Sequence, residues 1–159
     1  MLPFFCFEDD AMNKMFIDLE GVLIDNWHDA NCILEYTGEQ IKSLFDQYCK
    51  KDQTVDLFSY AVDNEKDKEC VWWILLEVQK LLGIKFHNVI TVENVIDEIN
   101  WTDFMFVLKQ RGKRYGFIEY IRNISHLDET VDNYILLDDS VEDEVIDMGS
   151  HKIIFRQIV

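Results

Sequence analysis

The sequence predicts an α/β fold of three layers, a parallel sheet with helices on both faces. Three observations carry that expectation. Short β-prone apolar runs alternate with helix-periodic segments from residue 14 onward, the order that βαβ units produce. The runs "YILL" and "KIIF" are almost continuously apolar, as strands covered on both faces must be. Two runs, "MFIDLEG" and "YILLDDS", end on acids, at the strand ends where open α/β sheets hold their ligands.

The elements follow in order. Residues 1–13 read as an N-terminal appendage to a single domain over 14–159. The opening "MLPFFCFEDD" has a six-residue apolar stretch, no basic residue before it and acids directly after it, a pattern not expected of a signal peptide. "MFIDL" (15–19) is the first strand, and "DNWHDANCILEYT" (25–37) has room for a flap. "TGEQIKSLFDQYCKK" (37–51) reads as a helix opening on a Thr37/Gln40 capping box, with Ile41, Leu44, Phe45 and Tyr48 at helical spacing. "TVDLFSYAV" (54–62) is a second strand.

"NEKDKECVWWILLEVQKLLG" (64–83) is a helix capped by Asn64 and stopped by Gly83. Its Trp72, Trp73 and Leu76 are expected in the core. "FHNVITV" (86–92) is a third strand. "WTDFMFVLKQRG" (101–112) reads as a short helix ending at Gly112, and "KRYGFIEYIRNI" (113–124) as another, weakened by its interior glycine. "NYILLDD" (133–139) and "HKIIFRQI" (151–158) complete the sheet.

Bulk composition narrows the function. At 159 residues, a single domain buries about two-thirds of its unfolded surface. An apolar fraction of 48% argues against disorder. Against 31 Asp and Glu there are 15 Lys and Arg, a net charge of −16. That balance disfavours nucleic acid and suits a soluble protein, a cation binder or one that docks on a basic surface. Cys6, Cys32, Cys49 and Cys70 form no CxxC pair and are expected as buried free thiols in a reducing compartment. No apolar run approaches the roughly 20 residues a membrane span needs, so the expectation is a soluble cytoplasmic domain.

The acids carry the chemistry. Asp18 and Glu20 share a strand face. If the two acid-ended strands are parallel neighbours, Asp138 and Asp139 converge with them. Such acids repel by several kcal/mol at low effective dielectric. A hard, oxygen-liking cation such as Mg²⁺ resolves that repulsion, and Asp143 could add an oxygen. Ser59 sits near the end of its strand, and Lys113 opens a helix before Asp138. A hydroxyl and an ammonium beside a metal are what a transferred phosphoryl group needs. The plainer alternatives are a solvated strand end, a turn serine and solvated charges in "KQRGKR".

In chain order this set resembles the haloacid dehalogenase superfamily over residues 15 to about 155. "MFIDLEGVL" resembles the family's D-x-D-G-(T/V) strand end, Ser59 its strand-final hydroxyl, Lys113 (or, less well, Lys109) its helix-opening lysine, and "LLDDSVED" its late acids. "DMGSHKIIF" is similar to the closing glycine and strand. The resemblance implies a Rossmann-like sheet and a Mg²⁺-dependent phosphohydrolase. Asp18 would form an aspartyl-phosphate and Glu20 would act as general acid and base. Asp18, the Glu20 carbonyl and one of Asp138 and Asp139 would hold Mg²⁺, with Ser59 and Lys113 on the phosphoryl oxygens.

Glu20 departs from the family's usual Asp, though D-x-E occurs in phosphoserine-phosphatase-like and enolase-phosphatase members. Thirty-eight residues lie between Glu20 and Ser59 and 53 between Ser59 and Lys113, so no large cap fits. Within the family that points to extended phosphorylated substrates or loose selectivity, and the acidic surface favours a phosphoprotein or a small phosphomonoester over nucleic-acid ends. Trp27 in the flap is a candidate substrate contact or a packed aromatic; His28 is expected exposed. The alternative reading is a weak or inactive member of this type that binds a macromolecule through its acidic surface. Abundant Asn, Ile, Lys and Asp with one proline suit an AT-rich genome such as a large phage's.

Overall fold

A computed structural model describes residues 11–99 and 104–159, with side chains described for 11–98 and 112–159. Six strands form one sheet: β1 (Asn13–Ile17), β2 (Val55–Phe58), β3 (Phe86–Ile90), β4 (Asn133–Asp138), β5 (Glu144–Asp147) and β6 (Lys152–Gln157). The helices are α1 (Leu34–Tyr48), α2 (Glu65–Leu82), α3 (Val92–Ile99) and α4 (Phe104–Ile124). The strand order is β3-β2-β1-β4-β6-β5. Every neighbouring pair is parallel except β5, which runs antiparallel to β6.

Consecutive strand residues face opposite sides of a sheet, and the core divides accordingly. Met15 and Ile17 of β1, with Leu57, Val89, Ile135 and Leu137, pack against Ile41 and Phe45 of α1 and Val71, Leu75 and Val78 of α2. Phe16, between Met15 and Ile17, joins Phe58, Tyr134, Leu136 and Phe155 under Val95 of α3 and Phe117, Tyr120 and Ile121 of α4. The second layer is strongly aromatic: Phe16 meets Phe117 edge-on at 5.2 Å, and Phe117 meets Phe58 at the same distance. Such pairs add about 0.5–1.5 kcal/mol each beyond the area they bury.

Sequence and structure agree best at α2. The Asn64 side chain accepts from the N–H groups of Lys66 and Asp67, and Gly83 closes the helix in the left-handed region at φ +71°. The capping box expected at Thr37 does not form. The helix starts at Leu34, and the Thr37 hydroxyl instead donates to the buried Val22 carbonyl at 2.6 Å. A reciprocal box forms at α3, where the Asn94 N–H donates to Thr91 Oγ1 and the Thr91 N–H to Asn94 Oδ1. The third strand therefore ends at Ile90, and a helix follows that the sequence reading did not anticipate. The boundary expected at Gly112 is present as a break: α4 runs on both sides of it, but Gly112 itself has φ +81° and ψ −177°.

Four expectations need correction. The sheet is mixed, because β5 forms a hairpin with β6. Trp73 and Leu76 are exposed, since α2 buries the Val71, Leu75, Val78 stripe instead. Cys32 and Cys70 are exposed rather than buried; burial pushes the half-buried Cys49 thiol up to about 12. The first strand spans Asn13–Ile17 rather than 15–19, and Met12 just before it is tied to Asp132, donating from its N–H to the carboxylate and accepting the Asp132 N–H on its carbonyl. Among the described residues no helix is long and apolar enough to cross a membrane.

Candidate functional site

The register of the central strands builds the site. Ile17 lies opposite both Leu57 of β2 and Leu137 of β4. One residue further along, Asp18 comes level with Asp138, and its N–H donates to the Leu137 carbonyl at 2.9 Å. The chain then turns sharply, with Leu23 N–H donating to the Leu19 carbonyl at 2.9 Å. Gly21 makes the turn at φ +77°, and the Asp139 carboxylate occupies the space a Cβ would take, within 2.5 Å at its Cγ. Only glycine satisfies both the backbone and that close approach.

Asp18, Asp138 and Asp139 each place a carboxylate oxygen within 4.8 Å of the other two. Lys113 Nζ stands between the first two, 2.7 Å from Asp18 Oδ1 and 3.2 Å from Asp138 Oδ2. Asp138 is fully buried. Its Oδ1 accepts from the Ser140 N–H at 2.7 Å and hydroxyl at 2.6 Å. Its Oδ2 has no hydrogen bond among the described residues, so the lysine contact is an ion pair without hydrogen-bond alignment. Ser59, just past β2, is buried, and its Oγ accepts the Ala61 N–H at 3.2 Å.

Burial dominates the electrostatics. It pushes Asp18 up to about 6 against the attraction of Lys113, with Asp138 adding to the rise. Burial, then the Asp138 charge, also raises Asp139. Three carboxylates against one ammonium leave two negative charges unbalanced when all are ionised. A divalent hard cation fits that deficit. The donor set is all oxygen, as Mg²⁺ or Ca²⁺ requires.

The structure brings together Asp18, Ser59, Lys113, Asp138 and Asp139. Asp18, Glu20, Ser59, Tyr60, Lys113 and Ser140 line an open depression of about 310 Å³. Glu20 is at its edge, with Oε2 accepting the Trp27 N–H at 2.6 Å. Trp27 thus acts through its backbone, and its ring packs on the core instead of lining the depression. Asp143 is not in the cluster. The hairpin turns it toward β6, where it accepts the Gln157 N–H at 2.7 Å and lies 3.6 Å from Arg156. The Lys109 side chain falls outside the described ones. His28 is exposed.

Ser140 and Tyr60 were not anticipated. Ser140 follows Asp138 by two positions, the spacing at which an Asp side chain captures a following N–H, so that signal was present in "DDS". A larger hollow of about 530 Å³ lies at the amino ends of the strands around Lys14, Asp56 and His87. It contains none of the converging acids. Set against known protein families, curated proteins and solved structures, the chain matches none.

Proposed function

We propose that the chain is a Mg²⁺-dependent phosphohydrolase of the haloacid dehalogenase type, acting on a phosphomonoester or phosphoprotein. The observation that supports it is the convergence of Asp18, Asp138, Asp139 and Lys113 at the carboxyl ends of two adjacent parallel strands. In this reading the Asp18 carboxylate attacks phosphorus, and the bond from phosphorus to the leaving oxygen breaks as Glu20 gives that oxygen a proton. Glu20 then takes a proton from the water that attacks the aspartyl-phosphate, returning Asp18. Lys113 and Ser59 hold the phosphoryl oxygens. Asp18, Asp138, Asp139 and the Glu20 carbonyl would hold Mg²⁺, which when bound neutralises phosphoryl charge.

Glu20 is longer than the usual aspartate by one methylene, and the flap compensates: the Trp27 N–H fixes its carboxylate at 2.6 Å. The test is hydrolysis of p-nitrophenyl phosphate with Mg²⁺ by the protein and its Asp18→Asn variant. Metal-dependent turnover absent from the variant is the expected result; equal rates in the two would refute the reading.

A second reading, a binding protein retaining this carboxylate shell, is favoured by one observation. Trp73, Leu76 and Leu81 of α2 are exposed, Trp73 to 75%. Three large apolar side chains on one helix surface suit a partner contact. A melting temperature unmoved by Mg²⁺, with no turnover, would favour it.

A further inference from the structure

The lysine at the centre of the acids is held by more than charge. Lys113 Nζ lies 4.9 Å from the ring centroid of Tyr60 and 5.4 Å from that of Phe58. Both distances are inside the range, about 6 Å, over which a ring face attracts a cation. The lysine side chain is only 8% exposed, so water competes weakly for the ammonium.

Phe58 ends β2, and Tyr60 follows it across Ser59 into the turn beyond the strand. Phe58 is anchored edge-on against Phe117 and Phe16, and the Tyr60 ring leans on Phe58 at 6.1 Å. One tripeptide thus supplies two rings for the lysine and, between them, the hydroxyl of Ser59. The backbone before Lys113 gives little guidance, because Gly112 interrupts the helix there. A lysine has four rotatable side-chain bonds. Carboxylates alone restrain such a side chain less than carboxylates and rings together.

The Tyr60 hydroxyl is buried and has no hydrogen-bond partner among the described residues. Burial, and then the charges of Asp138 and Asp18, push its ionisation upward, so the group stays neutral. Its removal would break no hydrogen bond described.

We infer that Tyr60 is a positioning residue: its ring, with that of Phe58, fixes the Lys113 ammonium between Asp18 and Asp138. The consequence for turnover rests on the phosphohydrolase reading; the placement of the lysine does not.

The test uses the full chain labelled at lysine Cε and Nζ, with Lys113 assigned by the resonance missing from Lys113→Arg. NMR of the side-chain ammonium is compared in wild type, Tyr60→Phe, Tyr60→Leu and Tyr60→Met, each checked for a native amide spectrum. The second aliphatic variant serves if the first does not fold. Wild type and Tyr60→Phe should show a slowly exchanging Lys113 ammonium signal, and both aliphatic variants should lose it to exchange with water. A signal that persists in a folded aliphatic variant overturns the inference. So does a signal lost in Tyr60→Phe, which would place the role in the hydroxyl.

With p-nitrophenyl phosphate, the aliphatic variants should lose about tenfold in kcat, with KM changed less. If the ammonium signals behave as expected while wild type shows no turnover, the phosphohydrolase reading fails and the positioning role stands.

Discussion

Asp18→Asn should stabilise the metal-free protein. Burial holds the Asp18 carboxyl at about 6, where its ordinary value is 3.8. At neutral pH that difference costs the ionised folded state about 3 kcal/mol, at about 1.4 kcal/mol per tenfold in proton affinity. An amide of the same shape avoids the cost, and Lys113 keeps its second partner, Asp138, at 3.2 Å. Burying the amide takes back part of the gain, leaving about 1–2 kcal/mol, or a Tm rise of about 3–6 °C in a chain of this size.

The sign follows from the raised folded value. Stability from this carboxyl is fully present below 3.8 and is lost as pH rises through about 6, so the variant's advantage grows across that window and is complete above it. Urea denaturation in EDTA at pH 7.5 measures it. On the metal-binding proposal, Mg²⁺ at ten times its Kd should stabilise wild type by about 1.4 kcal/mol and the variant far less, so the gap should narrow or invert. An Asp18→Asn protein less stable than wild type in EDTA would refute the argument, because the attraction of Lys113 would then outweigh burial.

Other outcomes are expected from the same geometry. Gly21→Ala places a methyl against the Asp139 carboxylate at a positive φ, costing about 1–2 kcal/mol in backbone strain alone. Calorimetry should show Mg²⁺ affinity reduced at least about tenfold. Thr37→Val leaves the buried Val22 carbonyl without its 2.6 Å hydroxyl, a loss of about 1–3 kcal/mol in urea denaturation. Asn64→Ala removes a cap that serves two N–H groups and should lower Tm by about 2–4 °C. Trp73→Ser should change stability by less than about 0.5 kcal/mol, as exposed positions do; a larger loss would return Trp73 to the core.

The sequence displayed the acids because a strand-final carboxylate is a local signal. Asp18 and Asp138 need only their own apolar runs to be noticed, and the parallel β1–β4 pairing does the rest. Other features depended on competition between signals. In "TVENVIDEI" the β-branched residues suggest a continuing strand, yet Val92, Val95, Ile96 and Ile99 recur at helical spacing behind the Thr91 cap, and the helix prevails. At Thr37 the capping pattern was present, but the buried Val22 carbonyl in the turn after β1 claimed the hydroxyl. Strand β5 gave little warning: four residues, alternately half-buried and exposed, carry hardly any apolar pattern. The hairpin it forms also explains Asp143, which chain spacing put near the acids and folding turned toward Arg156.

The loop from Asp25 to Asn31 is stitched to itself. The Asp25 N–H donates to the Asn31 carbonyl at 2.9 Å, and the Asp25 carboxylate takes both the N–H and the side-chain amide of Asn31. These bonds pin the two ends of the loop to each other. Lengthening a closed loop costs about 0.6 kcal/mol per doubling, so an insertion after His28 that quadruples its length costs only about 1.2 kcal/mol. Trp27 and its hold on Glu20 lie before that point, and the bonds given up are those that Asn26 makes to Asp29 and Ala30. The loop is therefore a natural splice point, where a selective lid could be grafted over an otherwise open site without rebuilding the groups beneath it.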